Sequence, residues 1–290
     1  MSALTANVAL VSETPVVDPS QVSIVAAALN KQATRDFGPF WDVDATVSAF
    51  DKLEDVPVDY WPVIIRDDIN QPGAAGYHTD DNGQPFSLVQ ADDSWTLTSS
   101  HEVLEMLADP FGNRTIAGSP PPNSPDPVSG FDRVVYLVEV CDPCESDQFA
   151  YTANGVTVSD FITAHYYDPN DSSGAQYSFG GNIKAPHTVL EGGYVSFGNP
   201  VDSNWYQIIV VNGQTQVRDL GVIQSTNGRS LRELVDLAVR KAREKERYRI
   251  KPAMTKAVAA AVGSPLAKTS TARAKTLRNY VQKLKTRDVA

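Results

Sequence analysis

The sequence predicts an α+β protein: a mixed sheet with helices against it, then a β-rich region, then a basic helical C-terminal segment. Three observations carry this. Up to about residue 118, runs rich in β-branched residues alternate with two stretches of helical periodicity. From Arg133 to Leu220 strand patterns follow one another almost without a break. Beyond Ser225 the pattern becomes helical, and Lys and Arg dominate the charge. The expected division is an α/β segment over residues 1–118, a β-rich segment over 119–224 and a basic helical segment over 225–290.

Asn7–Val11 is the first strand candidate. Asp18-Pro19-Ser20-Gln21 reads as a helix start, with Asp18 as N-cap and Pro19 at the first position. Val22, Val25, Leu29, Ala33 and Phe37 follow at helical spacing, and Gly38-Pro39 should end this backing helix. Ala45–Phe50 and Trp61–Ile65 suit strands. Asp80-Asp81-Asn82-Gly83 is a turn signal, and Gln84–Gln90 is the next strand. Pro85 assigns that strand to a sheet edge, because proline cannot donate to a ladder.

The β-rich region contains Val134–Val140, Phe149–Val158 around Asn154-Gly155, Tyr177–Ile183, Tyr194–Phe197 and Trp205–Val211. Asn212-Gly213 then turns into Gln214–Leu220. Leu231, Leu234, Val235, Ala238 and Ala242 mark one amphipathic helix, and Leu277, Tyr280, Val281 and Leu284 a second.

A composition of 42% apolar and 21% charged residues is that of a globular chain with a sizeable core. No run of roughly 18 apolar residues suggests a membrane span. The N-terminus lacks the basic and apolar regions of a secretory signal, which gives a cytoplasmic expectation, with release or packaging in a particle as the alternative. Cys141 and Cys144 are too few for a disulfide framework, and their acidic neighbours Asp142 and Glu145 disfavour a redox pair. The net charge of −10 is unevenly spread: residues 228–290 carry 17 Lys and Arg against 5 Asp and Glu. A nucleic acid, an acidic partner or the acidic body of the same chain could each meet that basic segment.

The chemistry concentrates in SSHEVLEMLAD, residues 99–109. Ser99 and Glu102 stand in the S-x-x-E relation of a capping box, which places the helix start at Ser99. Pro110 should stop the helix near Ala108. His101 and Glu105, four apart, share one face and can reach a single ion. Glu102 stands where the general base of an H-E-x-x-H site would be. Asp109 is the first candidate for a third ligand, with Asp142, Glu139 and His165 as rivals. His78 and His165 are candidates for a cleft or supporting position, as is Asp142. A histidine with two carboxylates makes a hard, anionic site: zinc is the first expectation, and calcium or another divalent ion the alternative.

The order strand, helix, strand, strand, edge strand, helix, closing on His-Glu, resembles the N-terminal subdomain of zincin metallopeptidases over about residues 7–115. The resemblance implies a zincin-like fold in which the edge strand, Gln84–Gln90, holds an extended peptide or protein substrate and the helix supplies ligands and base. Glu105 departs from that family by standing in place of its second histidine. The stretch from the first strand through ITAHYYDP also resembles bacterial and phage proteins without an established activity that share S-H-E-x-x-E-M-x-x-D-P. Metal-dependent hydrolysis, most naturally of peptides, is the functional expectation. A non-catalytic zincin-derived assembly protein, tethered by its basic segment, is the alternative.

Overall fold

The computed structural model describes residues 5–71, 73–224 and 228–243. The chain forms two units, Met1–Val239 and Arg240–Ala290. The expected helix around Leu277–Leu284 lies outside the described residues.

The first strand, β1 (Ala6–Ser12), is apolar and buried from Val8 to Val11 because it lies inside a sheet covered on both faces. Its helix, α1 (Pro19–Lys31), opens with the expected Asp18 cap, closed reciprocally by the Gln21 side chain. Val22, Val25, Ala26 and Leu29 form its buried stripe. The helical path does not end at Gly38-Pro39. It widens into a π turn over Gln32–Phe37 and continues as α2 (Gly38–Trp41), stopped by Asp42 in the left-handed conformation. Gly38 serves here as a close-approach residue, since a Cβ would lie 2.7 Å from the Val43 carbonyl oxygen.

The strands β2 (Ala45–Phe50), β3 (Tyr60–Arg66), β4 (Gly76–Asp81) and β5 (Gln84–Gln90) complete a five-stranded sheet of order β2-β1-β3-β5-β4. All neighbours are parallel except β4 and β5, which form a hairpin through Asn82-Gly83, both at positive φ. The edge strand is therefore Gly76–Asp81, not Gln84–Gln90. Pro85 is tolerated in the interior strand because pairing with β3 begins only at Ser87. The long helix α3 (Trp95–Ala108) follows and ends where Pro110 requires. Its N-cap is Ser94, five residues before the expected Ser99, so Ser99 and Glu102 lie within it and form no capping box.

A second, antiparallel sheet has the order β12-β11-β10-β7-β6. Its strands are β6 (Thr115–Gly118), β7 (Val134–Leu137), β10 (Tyr194–Gly198), β11 (Asn204–Val211) and β12 (Gln214–Val222); a small hairpin pairs β8 (Tyr151–Ala153) with β9 (Val156–Val158). Tyr177–Ile183 is not a strand; it makes one isolated bridge, Ile162 with Ser178, and turns at Gly181. Asp160 holds this turn by accepting from the Gly180 N–H at 2.7 Å.

One apolar core joins these layers: Leu10 and Val63 from the first sheet, Val103 and Leu104 from α3, Tyr136 and Phe197 from the second. Residues 231–239 are helical (α4), and their apolar face packs Val235 and Val239 against Leu137 and Trp205. Among the described residues no helix is long and apolar enough to cross a membrane.

Candidate metal centre

The centre forms where three pieces of chain meet α3. The edge strand β4 brings His78, the irregular stretch after β7 brings Glu139 and Asp142, and the start of α4 brings Arg232. Strand β7 ends at Leu137, not Val140, which frees the following residues to curl across α3. Gly76 lets β4 approach closely, since a Cβ there would lie 2.7 Å from Thr98 Cγ2 and 2.9 Å from Glu102 Oε1.

His101 and Glu105 lie on one face of α3, with Nε2 of His101 3.2 Å from Oε1 of Glu105. The same nitrogen is 3.3 Å from Oδ1 of Asp142. Two ligands held about 2.0–2.1 Å from one tetrahedral ion stand roughly 3.4 Å apart, so both spacings suit shared coordination. Three groupings bring donor atoms within 4.8 Å of one another: His101, Glu105 and Cys141; His101, Asp142 and Glu145; His78, Glu105 and Glu139.

The carboxylates are short of partners. Glu102 Oε2, Asp142 Oδ1 and both oxygens of Glu139 are buried and accept no hydrogen bond. His101 stands 3.3 Å from Asp142, and Arg232 3.3 Å from Glu139 and 3.8 Å from Glu102, so these oxygens are charge-paired but not hydrogen-bonded. Burying so many carboxylates remains costly unless cations hold them together. The residues therefore fit a divalent ion by charge, donor type and spacing.

The site's ionisation follows from its crowding. Burial pushes the Glu139 and Asp142 carboxyls up, and the charge of Glu105 pushes further; both are held well above the usual carboxylate range. Burial would also raise Glu105, but His101 and Arg232 outweigh it and hold Glu105 well below that range. Burial opposes the charged form of His101, yet the neighbouring Glu105 and Asp142 raise it well above its ordinary value.

Arg232 is the group that sequence reasoning missed. Its Nη2 lies 3.4 Å from Glu105 Oε2, its Nε 3.3 Å from Glu139 Oε1 and its Nη1 3.8 Å from Glu102 Oε2. The Nη1 group also donates to His78 Nδ1 and, at 3.1 Å, to the His78 carbonyl oxygen. With Nδ1 as acceptor, the proton of His78 sits on Nε2, which donates to the Asp109 carbonyl at 3.1 Å. The available signal was Ser230-Leu-Arg-Glu233, a true capping box: Ser230 Oγ accepts from the Glu233 N–H, and Glu233 Oε2 from the Ser230 N–H.

His78, expected in a cleft or supporting position, lies on the edge strand against Arg232 and the carboxylates. Asp109 is placed otherwise than a third ligand requires: its carboxylate accepts from the N–H groups of Asn113 and Arg114, at 3.1 and 2.7 Å, and folds the loop after α3. His165 is exposed and paired with Asp168 at 2.7 Å, outside the cluster. Cys141 and Cys144 are free, buried thiols whose pKa burial raises, the setting of structural cysteines.

No family model, curated protein or solved structure matches this chain.

Proposed function

We propose that the chain is a zincin-like metal-dependent hydrolase acting on peptides. The observation that carries this reading is the ligand-like spacing of His101 to Glu105 and of His101 to Asp142, beside a buried Glu102 oxygen that accepts no hydrogen bond. His101 would hold the ion with Glu105 on one side or with Asp142 on the other, in place of Asp109. A bound divalent ion supplies Lewis acidity and a more acidic water.

Glu102 is suited to general base work because its Oε2 is buried and accepts no hydrogen bond. The edge strand offers a place for substrate. The Gln90 N–H donates to the Ala75 carbonyl across the hairpin, so alternation turns the backbone of Gly76, His78 and Asp80 away from β5. An extended peptide could pair there, next to the carboxylates. The ligand set, rich in oxygen, suits zinc but also manganese or calcium.

Elemental analysis of the purified chain, after loading with Zn²⁺ or Mn²⁺, tests the reading. Stoichiometric metal is expected in the wild type and its loss in His101→Ala. Glu102→Gln should keep the metal while losing hydrolysis of a mixed peptide library. Absence of metal from the loaded wild type would remove the reading.

A second reading is favoured by Arg232, whose guanidinium reaches each donor of the His78–Glu105–Glu139 grouping. In it the domain is non-catalytic and the cluster is closed by the chain's own cation. It expects no bound metal, and a loss of about 3–5 kcal/mol in stability on Arg232→Ala, the usual cost of leaving a buried charge network unpaired.

A further inference from the structure

We propose that the segment beginning at Ser230 is a built-in plug: Arg232 occupies part of the metal centre as a removable counter-ion, and a divalent ion displaces it together with its helix start. This inference rests on the metal-centre reading above. The first ground is where Arg232 goes. Of the three donor groupings, it touches every member of one, and it takes Glu105, which belongs to a second. It also stands 3.8 Å from Glu102, the residue suited to be the base.

The second ground is what the segment covers. The His78 carbonyl belongs to the unpaired side of the edge strand, and Arg232 Nη1 donates to it. Beside it, Thr79 Oγ1 donates to Glu233 Oε1 at 3.3 Å. On the other side the N–H of Arg232 donates to the Gly112 carbonyl and that of Leu231 to Asn113 Oδ1, both at 2.9 Å. The segment therefore bridges the edge strand and the loop after α3, over the line an extended peptide would take.

The third ground is that the plug fits incompletely. One guanidinium faces Glu102, Glu105 and Glu139, and oxygens of Glu102 and Glu139 remain without hydrogen bonds. A divalent ion brings twice the charge and short ligand bonds, so it competes for the same carboxylates on favourable terms. The apparent metal affinity is then the intrinsic affinity multiplied by the fraction of molecules in which Arg232 is unseated.

The test uses the full-length, metal-stripped chain titrated with Zn²⁺ and, separately, Mn²⁺. Calorimetry gives affinity, and hydrogen exchange follows the peptide covering residues 230–239. Added metal is expected to speed exchange in that peptide by at least about tenfold, while peptides from α3 stay protected. Arg232→Gln should bind the ion at least about tenfold more tightly than the wild type. Equal affinity in the two proteins, or undiminished protection of 230–239 with the ion bound, overturns the plug and leaves the metal centre standing. Binding to neither protein overturns both.

Should Arg232→Gln fail to fold, Asn113→Ala/Glu233→Ala loosens the segment and leaves the buried carboxylates intact. It should also bind more tightly than the wild type, and an unchanged affinity overturns the proposal.

Discussion

Nη2 of Arg232 lies 3.4 Å from Oε2 of Glu105, across 127 positions of sequence. The other oxygen of Glu105 faces His101 Nε2 at 3.2 Å and accepts from the Cys141 N–H at 3.2 Å. One buried carboxylate thus ties α3 to the β-rich region and to the start of α4. Its two cationic neighbours explain why Glu105 stays ionised where Glu139 resists ionisation.

Asp109 and His101 should separate cleanly by mutation. Asp109→Ala removes the acceptor of two backbone N–H groups in a buried loop start, and hydrogen bonds to a charged group are worth about 1.5–3 kcal/mol each. The expected result is an unfolding free energy lowered by a few kcal/mol, with metal stoichiometry unchanged. His101→Ala should abolish metal binding, and it should also lower metal-free stability because buried Glu105 loses one of its two cationic neighbours. Loss of metal in a folded Asp109→Ala protein would return Asp109 to the ligand set.

Gly76 should prove intolerant for a reason outside backbone conformation. A Cβ at this position meets Thr98 Cγ2 at 2.7 Å and Glu102 Oε1 at 2.9 Å, closer than side chains pack. Gly76→Ala is expected to cost about 1–3 kcal/mol, the usual range for overpacking, and to push Glu102 from the edge strand. Thermal unfolding reads the first effect. The second should appear as lost hydrolysis with metal retained, the same phenotype expected of Glu102→Gln.

Much of this was legible in the sequence, and the exceptions have physical causes. Asp18-Pro19-Ser20-Gln21 and the stop at Pro110 act through neighbouring backbone, so local reading finds them. Ser99 and Glu102 have capping-box spacing, but Trp95 is buried and draws the helix start back to Ser94. Spacing alone carries no information about which of two possible starts buries more surface. Pro85 marks a strand end that overhangs its neighbour, which mimics an edge. His101 with Glu105 follows from helix geometry, whereas Glu139, Asp142 and Arg232 arrive through tertiary folding. The Ser230–Glu233 capping box announces a helix start, but not that its guanidinium reaches Glu105 across 127 positions.

Stability against pH should report the crowded carboxylates directly. Glu139 and Asp142 have pKa values raised in the folded state, so between their unfolded values and their folded ones the native protein holds more protons than the unfolded chain. Stability from these groups is then fully present below the unfolded carboxylate range, near pH 4, and is lost as pH rises through the folded values. The metal-free protein should therefore become less stable from mildly acidic toward neutral pH. Glu139→Gln removes one of the groups that burial keeps from ionising, and it should flatten this decline and raise the melting temperature near pH 7. Bound divalent metal should do the same in the wild type by stabilising the ionised carboxylates. Melting curves of both proteins, with and without Zn²⁺ across that pH range, provide the check. A metal-free wild type that gains stability toward pH 7 would show that the cluster is compensated in some other way.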